Sequence, residues 1–244
     1  MSGLARGPVP LIVDPGMSGQ TIHPEQFVAA VKPLLERQDL PGLLDTLKSR
    51  WTAEQIVSLL KSPHRDARKV AALSLGLVGG KCCCAPLTEQ LQDADPVVHG
   101  MAEHALWSIW FRSGSDKANC HLAKGAKAMD AKDYAGALEH FSKAIEIDPS
   151  FAEAYNQRGI AHYLLEHYDE SVADCQKTVD LMPCHFGAWA GLGHCHAHEG
   201  RLPTALDCYR KALSINPHLE CLDEACEELK KQIVHADEPS ADRD

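Results

Sequence analysis

The chain has 244 residues, 45% of them hydrophobic, and its 24 Lys and Arg against 34 Asp and Glu leave a net charge of −10. That is apolar content enough for one large or two ordinary buried cores, and no apolar run approaches the ~18 residues of a membrane span. Residues 1–112 are balanced, at 11 basic and 11 acidic, so residues 113–244, at 13 and 23, carry the whole excess; such a surface is repelled by nucleic-acid phosphates and suits a basic peptide or protein.

Residues 1–23 open "MSGLARGPVPLIVDPG", with a single three-residue apolar stretch, Leu11 to Val13. A secretory signal needs roughly 7–15, so the segment reads as flexible, and ten cysteines without an export signal read as reduced thiols in the cytoplasm. Amphipathic helices follow at about 24–36 and 41–49. Next, "SPHRDARKVAALSLG" (62–76) aligns with "DADPVVHGMAEHALW" (93–107) at an offset of 31, sharing a polar turn and inward Val70/Met101, Ala71/Ala102 and Leu75/Leu106. A short helix precedes each, "TAEQIVSLLK" (52–61) and "CCCAPLTEQLQ" (82–92). These two units resemble HEAT repeats of the phycobilisome-lyase type, which assigns 24–112 to a HEAT-like array with the first two helices as its cap. Adjacent positions on a helix point about 100° apart, so Cys82, Cys83 and Cys84 are expected to be largely buried with one thiol exposed rather than a metal centre.

"LWSIWF" ends this array before the turn "RSGSDKAN" (112–119). Two arrangements fit its aromatics. In one, Trp107, Trp110 and Phe111 bury a seam between the two halves; in the other, Trp107 and Phe111 complete the N-terminal core and Trp110 is exposed.

Beyond the turn a period of 34 residues appears. It links Pro149, Pro183 and Pro217; Gly125, Gly159 and Gly193; Ala137, Ser171 and Ala205; Phe141, Cys175 and Tyr209; and Ala144, Thr178 and Ala212, with Tyr155 and Trp189 near the start of the second and third units. The pattern resembles the tetratricopeptide repeat (TPR), over units 118–151, 152–185 and 186–217, although Ala128, His162 and His196 replace the usual tyrosine. The stripe Leu219, Leu222, Cys226 (or Ala225), Leu229 and Ile233 within 218–235 predicts a capping helix, and 236–244 reads as a disordered tail. The fold expected is all-α: an alpha-alpha superhelix, or α-solenoid, in which a HEAT-like array precedes three TPR units and a cap.

"GHCHAHEG" (193–200) places four candidate ligands within five residues. The repeat turns Cys195 and His196 inward as packing residues and leaves His194 and His198, four apart, on one face. Two ligands fall short of the three or four that zinc needs, so no metal or cofactor is expected. By resemblance this face is the concave, partner-binding surface of the repeats, and it assigns Asp130, Glu153, Asn156, Gln157, Ile160, Leu164, His194 and His198 to a groove for a protein or peptide. Relatives that clamp a chaperone's C-terminal carboxylate need charged or amide side chains where Leu122, Ala126, Gly187 and Gly191 stand here, which disfavours that partner. No H-E-x-x-H, P-loop, G-x-S-x-G or dinucleotide motif is present. The sequence therefore reads as a non-enzymatic interaction module. The alternatives are an enzyme or enzyme subunit related to phycobilin lyases, which the HEAT-like units suggest, and a metal-responsive protein using His194 and His198.

Overall fold

The computed structural model describes residues 22–237, and of these it forms thirteen α-helices and two short 3-10 turns, with no strand among them. The expected flexible segment 1–23 and tail 236–244 lie, apart from their two inner residues each, outside the described residues. The N-terminal helices are α1 (Pro24–Glu36), α2 (Leu40–Arg50), α3 (Ala53–Ser58), α4 (Arg65–Val78), α5 (Cys84–Gln90) and α6 (Pro96–Phe111). Three hairpins follow: α7 (Asp116–Asp130) with α8 (Tyr134–Ile147), α9 (Ala152–Leu164) with α10 (Tyr168–Leu181), and α11 (Phe186–His198) with α12 (Leu202–Ile215). The last helix, α13 (Glu220–Asp237), buries Leu222, Cys226 and Leu229, the stripe the sequence predicts.

The 34-residue period has a backbone counterpart. Lys132, Glu166 and Gly200 turn the chain between paired helices at φ 59°, 61° and 72°. The residue after each donates its N–H back to the first helix, Asp133 to Ala128, His167 to His162 and Arg201 to His196, each at 2.9 Å; this is a Schellman-type closure, which needs a left-handed residue at its centre. Gln38 makes the same turn between α1 and α2, at φ 56°, with Asp39 donating to Leu34 at 3.0 Å. Asp39 and Asp133 each accept from the N–H of a glycine three residues on, Gly42 and Gly136, at 3.0 Å, capping the second helix of the pair. The first hairpin of the chain thus shares its turn chemistry with the repeats, a likeness that the 34-residue spacing does not reveal.

In the middle of the N-terminal half, Asp95 accepts from the N–H groups of Val97 and Val98, and Pro96 opens α6, a strong start signal. Arg68 reaches Asp93 at 2.7 and 3.2 Å, tying α4 to the turn before α6. Arg112 closes the other end: its guanidinium donates to the carbonyl oxygens of Leu75, Gly76 and Gly79 at the end of α4, and to Ser108. The Gly76 and Gly79 carbonyls are of the kind that a helix C-terminus leaves without intrahelical partners, whereas the Leu75 carbonyl also accepts from the Gly79 N–H at 2.8 Å.

The two halves share one apolar core, which runs without a break from Phe27, Leu47, Leu75 and Leu106 through Trp110 and Phe186 to Tyr209 and Leu229. Trp110 is only 1% exposed, whereas Phe111 is 39% exposed. Trp107 and Trp110 therefore form a seam as in the first of the two arrangements, while Phe111, which that arrangement also buried, stays outside it. Trp110 stacks on His185 at 4.1 Å between ring centres, and Trp107 meets Phe186 and His185 edge-on at 5.4 and 5.5 Å. Gly187 makes room for this: a Cβ there would lie 2.9 Å from the Trp107 ring. The bond from Gln92 Nε2 to the Ile215 carbonyl at 3.3 Å and the stacked His99 and His218 rings, 3.5 Å apart, extend the contact to the C-terminal end.

Candidate functional site

The concave face divides in two, because α6 lies against the N-terminal ends of α9 and α11 and leaves their C-terminal ends open. At the covered end Glu153 is 0% and Asn156 2% exposed. The Glu153 carboxylate accepts from Asn156 Nδ2 at 3.2 Å, Gln157 Nε2 at 2.7 Å and His185 Nε2 at 2.9 Å. The Ala188 N–H donates to His185 Nδ1 at 3.0 Å, so that nitrogen bears no proton and Nε2 is the donor to Glu153. A buried carboxylate needs such a full set of donors. The assignment of Glu153 and Asn156 to the partner-binding groove is corrected accordingly: their polar atoms face this internal network, and Gln157 donates its amide to it too.

The open end holds the rest of the expected residues. Asp130, His194 and His198 are exposed, Ile160 and Leu164 present apolar side chains to solvent, and the half-buried Tyr163 lies between the last two units. The histidines belong to a run of rings that sequence reasoning reached only in part. His198 stacks on Tyr168 at 4.9 Å and meets Tyr163 edge-on at 5.5 Å, and His194 meets Tyr209 at 5.2 Å. His194 Nδ1 and the Tyr209 hydroxyl are 2.7 Å apart. Partial burial, then the neighbouring His198, lowers the His194 pKa, while burial pushes the Tyr209 phenol up to about 12 and keeps it protonated. No cluster of three or more His, Cys, Asp or Glu suited to a metal exists among the described residues.

The packing residues of "GHCHAHEG" behave as the repeat implies. Cys195 is buried and its Sγ lies 3.2 Å from Ser171 Oγ, and His196 is nearly buried with Nδ1 3.3 Å from Glu199 Oε2. His162, its equivalent one unit earlier, is half-buried but leaves Nδ1 without a hydrogen bond, and burial lowers its pKa. In the cysteine triplet Cys82 is exposed while Cys83 and Cys84 are buried; burial drives the Cys84 thiol up to about 12, far from a reactive thiolate. Sequence reasoning missed His185 and Trp107 as parts of the concave surface, since the first precedes its helix and the second belongs to the other half of the chain.

With this geometry in hand, the comparisons with known proteins are specific. Residues 128–166 match a TPR repeat model and residues 187–219 the tetratricopeptide repeat model. The small glutamine-rich tetratricopeptide repeat-containing protein 2 of Mycosarcoma maydis is 30% identical over 125 residues, 51% of this chain and 36% of that protein. Its namesake in Saccharomyces cerevisiae is 33% identical over 120 residues, 49% of this chain and 33% of that protein. The Hsp70-Hsp90 organizing protein of Triticum aestivum is 33% identical over 109 residues, 45% and 19% of the two chains. The chain thus spans only about a third of the length of the two fungal relatives. Among solved structures, the Sgt2 TPR domain from Aspergillus fumigatus superposes with a TM-score of 0.50 at 20% identity, covering 54% of this chain and 90% of that one, a likeness of fold. No described helix is long and apolar enough to cross a membrane. The C-terminal half of the chain carries tetratricopeptide repeats.

Proposed function

We propose that the chain is a non-catalytic interaction module that holds an extended or helical segment of a partner protein against the open end of its concave face. The observation that carries this is the pair Ile160 and Leu164, 39% and 47% exposed on one helix face and flanked by Asp130, His194 and His198. Apolar side chains at i and i+4 beside polar rings are what a docked helix or strand needs for anchoring. The matched relatives support the reading, the wheat protein being named an organizer of two other proteins. This chain lacks the charged clamp: Leu122 is buried and Gly187 is covered by Trp107, so its partner is a segment other than a chaperone's C-terminal carboxylate. The acidic surplus of residues 113–244 favours a basic partner. In the same reading residues 24–112 are a HEAT-like array, 118–235 the three units and cap, and the protein works in the cytoplasm. The lyase alternative draws no support from the relatives named above.

The test compares the full chain with Ile160→Asp/Leu164→Asp. Proteins retained from a lysate of the source cell by the wild type are expected to be lost by the double variant, with amide exchange of α9 and α11 unchanged. An identical set of retained proteins would overturn the assignment of the site.

A further inference from the structure

A second concave site exists where α6, α11 and α13 meet. It is an open cleft of about 470 Å³, lined chiefly by Glu103, Trp107, Phe186, His194, His218 and Leu222. That volume lies within the range of ligand-binding clefts. Its walls are aromatic and aliphatic, no Lys or Arg lines it, and its one carboxylate is distinctive. Glu103 is half-buried and, among the described residues, has neither an ion pair nor a hydrogen bond. Other sheltered acids are occupied: Asp93 by Arg68, Asp95 by Arg65, and the fully buried Glu153 by three donors.

We propose that this cleft receives an arginine side chain of a partner protein, the guanidinium lying against Trp107 and donating to the Glu103 carboxylate. A planar, weakly hydrated cation is the group that can stack on an indole and bond a carboxylate with two donors at once. A carboxylate left half-buried without a donor gains most from such a charge-assisted contact. Phe186 and Leu222 supply apolar surface for the side chain's methylene stem and for an apolar neighbour in the peptide. Charge complementarity argues for the same occupant, since the half of the chain that supplies α11 and α13 carries 23 acidic against 13 basic residues. The inference rests on the interaction-module reading only for the source of the arginine. The site itself is read out separately from Ile160 and Leu164.

The probe is the capped tripeptide Ac-Leu-Arg-Leu-NH2, titrated into the full chain while the Trp107 indole N–H resonance, assigned through Trp107→Phe, is followed by NMR. A saturable shift is expected. The citrulline analogue, equal in shape but uncharged, should bind at least about tenfold more weakly, and Glu103→Gln should weaken the arginine peptide by a similar factor, as for loss of one charged hydrogen bond. Equal binding of the citrulline peptide to the wild type would overturn the proposal, as would unchanged affinity in Glu103→Gln or no saturable shift at Trp107. The citrulline comparison uses unaltered protein, so it decides the matter even if Glu103→Gln is unstable. Loss of partner retention in Ile160→Asp/Leu164→Asp with an intact tripeptide shift would separate this site from the open groove.

Discussion

Trp110→Ala tests whether the two halves are one cooperative body. The indole is 1% exposed and contacts Trp107, His185 and Phe186 at centroid distances of 5.0, 4.1 and 5.2 Å. An aromatic of this kind buries about 200 Å², which at about 25 cal/mol per Å² is worth about 5 kcal/mol. Measured Trp-to-Ala losses of about 3–5 kcal/mol already include the cavity, so a loss of about 4 kcal/mol is expected. At about 2–4 °C per kcal/mol for a chain of this length, the melting temperature should fall by about 8–16 °C. The discriminating readout is amide exchange followed separately in α4 and in α11. Because the seam core is continuous from Leu75 to Phe186, protection should fall in both helices. A drop confined to α4, with α11 unchanged, would refute the coupling and leave the two halves merely tethered.

Four further outcomes follow from the same contacts. Arg112→Met removes the donor to three carbonyl oxygens at the end of α4, and since the side chain is partly solvated the cost should be about 1–2 kcal/mol by urea unfolding; no change would deny it a capping role. Gly193→Ala sets a Cβ 2.3 Å from the Tyr209 ring, so despite alanine's better helix propensity it should destabilise by about 1–3 kcal/mol in a thermal melt, and a gain in stability would contradict the packing. A thiol reagent should modify Cys82, Cys120 and Cys221 rapidly, the three exposed thiols of ten, with the buried ones reacting only on unfolding; fast reaction of Cys84 or Cys175 would be inconsistent with thiols pushed up to about 12. Stability should also decline on acidification. His121, His162 and His194 all titrate below their ordinary 6.5 in the folded chain, so the unfolded chain binds protons first as pH falls through about 6.5; a melting temperature that is flat from about pH 7.5 to 5.5 would remove these groups as the cause.

The repeats were legible because their constraint is steric and local. A small residue at Gly193 or Gly125 is needed wherever a ring crosses it, and the ring recurs with it at a fixed offset, so both leave a period in the sequence. The break between the first two helices was expected, but its likeness to the repeats was missed, because only the backbone geometry at Gln38 and the Asp39–Gly42 cap match them, and neither recurs at the 34-residue spacing. The concave face was half legible. Periodicity says that Glu153 and Asn156 point off the same side of α9 as Ile160 and Leu164, and they do. What covers the first pair and spares the second is Trp110, more than 40 residues away in sequence and outside the period altogether. Long-range packing of that kind leaves no mark on spacing, and the one local hint was the density of aromatics in "LWSIWF".

The position of α6 changes what the concave face can hold. In an open repeat array the whole length of the first helices is offered to a partner, so an extended segment can run past all three units. Here Trp107 and Trp110 occupy the end nearest His185, and displacing them would expose Glu153 and His185 together, a buried polar network with four hydrogen bonds to lose or rebuild. Adding the aromatic surface uncovered, the cost is several kcal/mol, comparable to the binding energy of a millimolar ligand. On the proposed reading a weak partner therefore cannot open the seam and fits beside it, along Asp130, Ile160, Leu164 and the Tyr163–His198–Tyr168 rings. On this geometry the two open sites are not alternatives. Both lie beside the seam with which the chain fills the middle of its own groove.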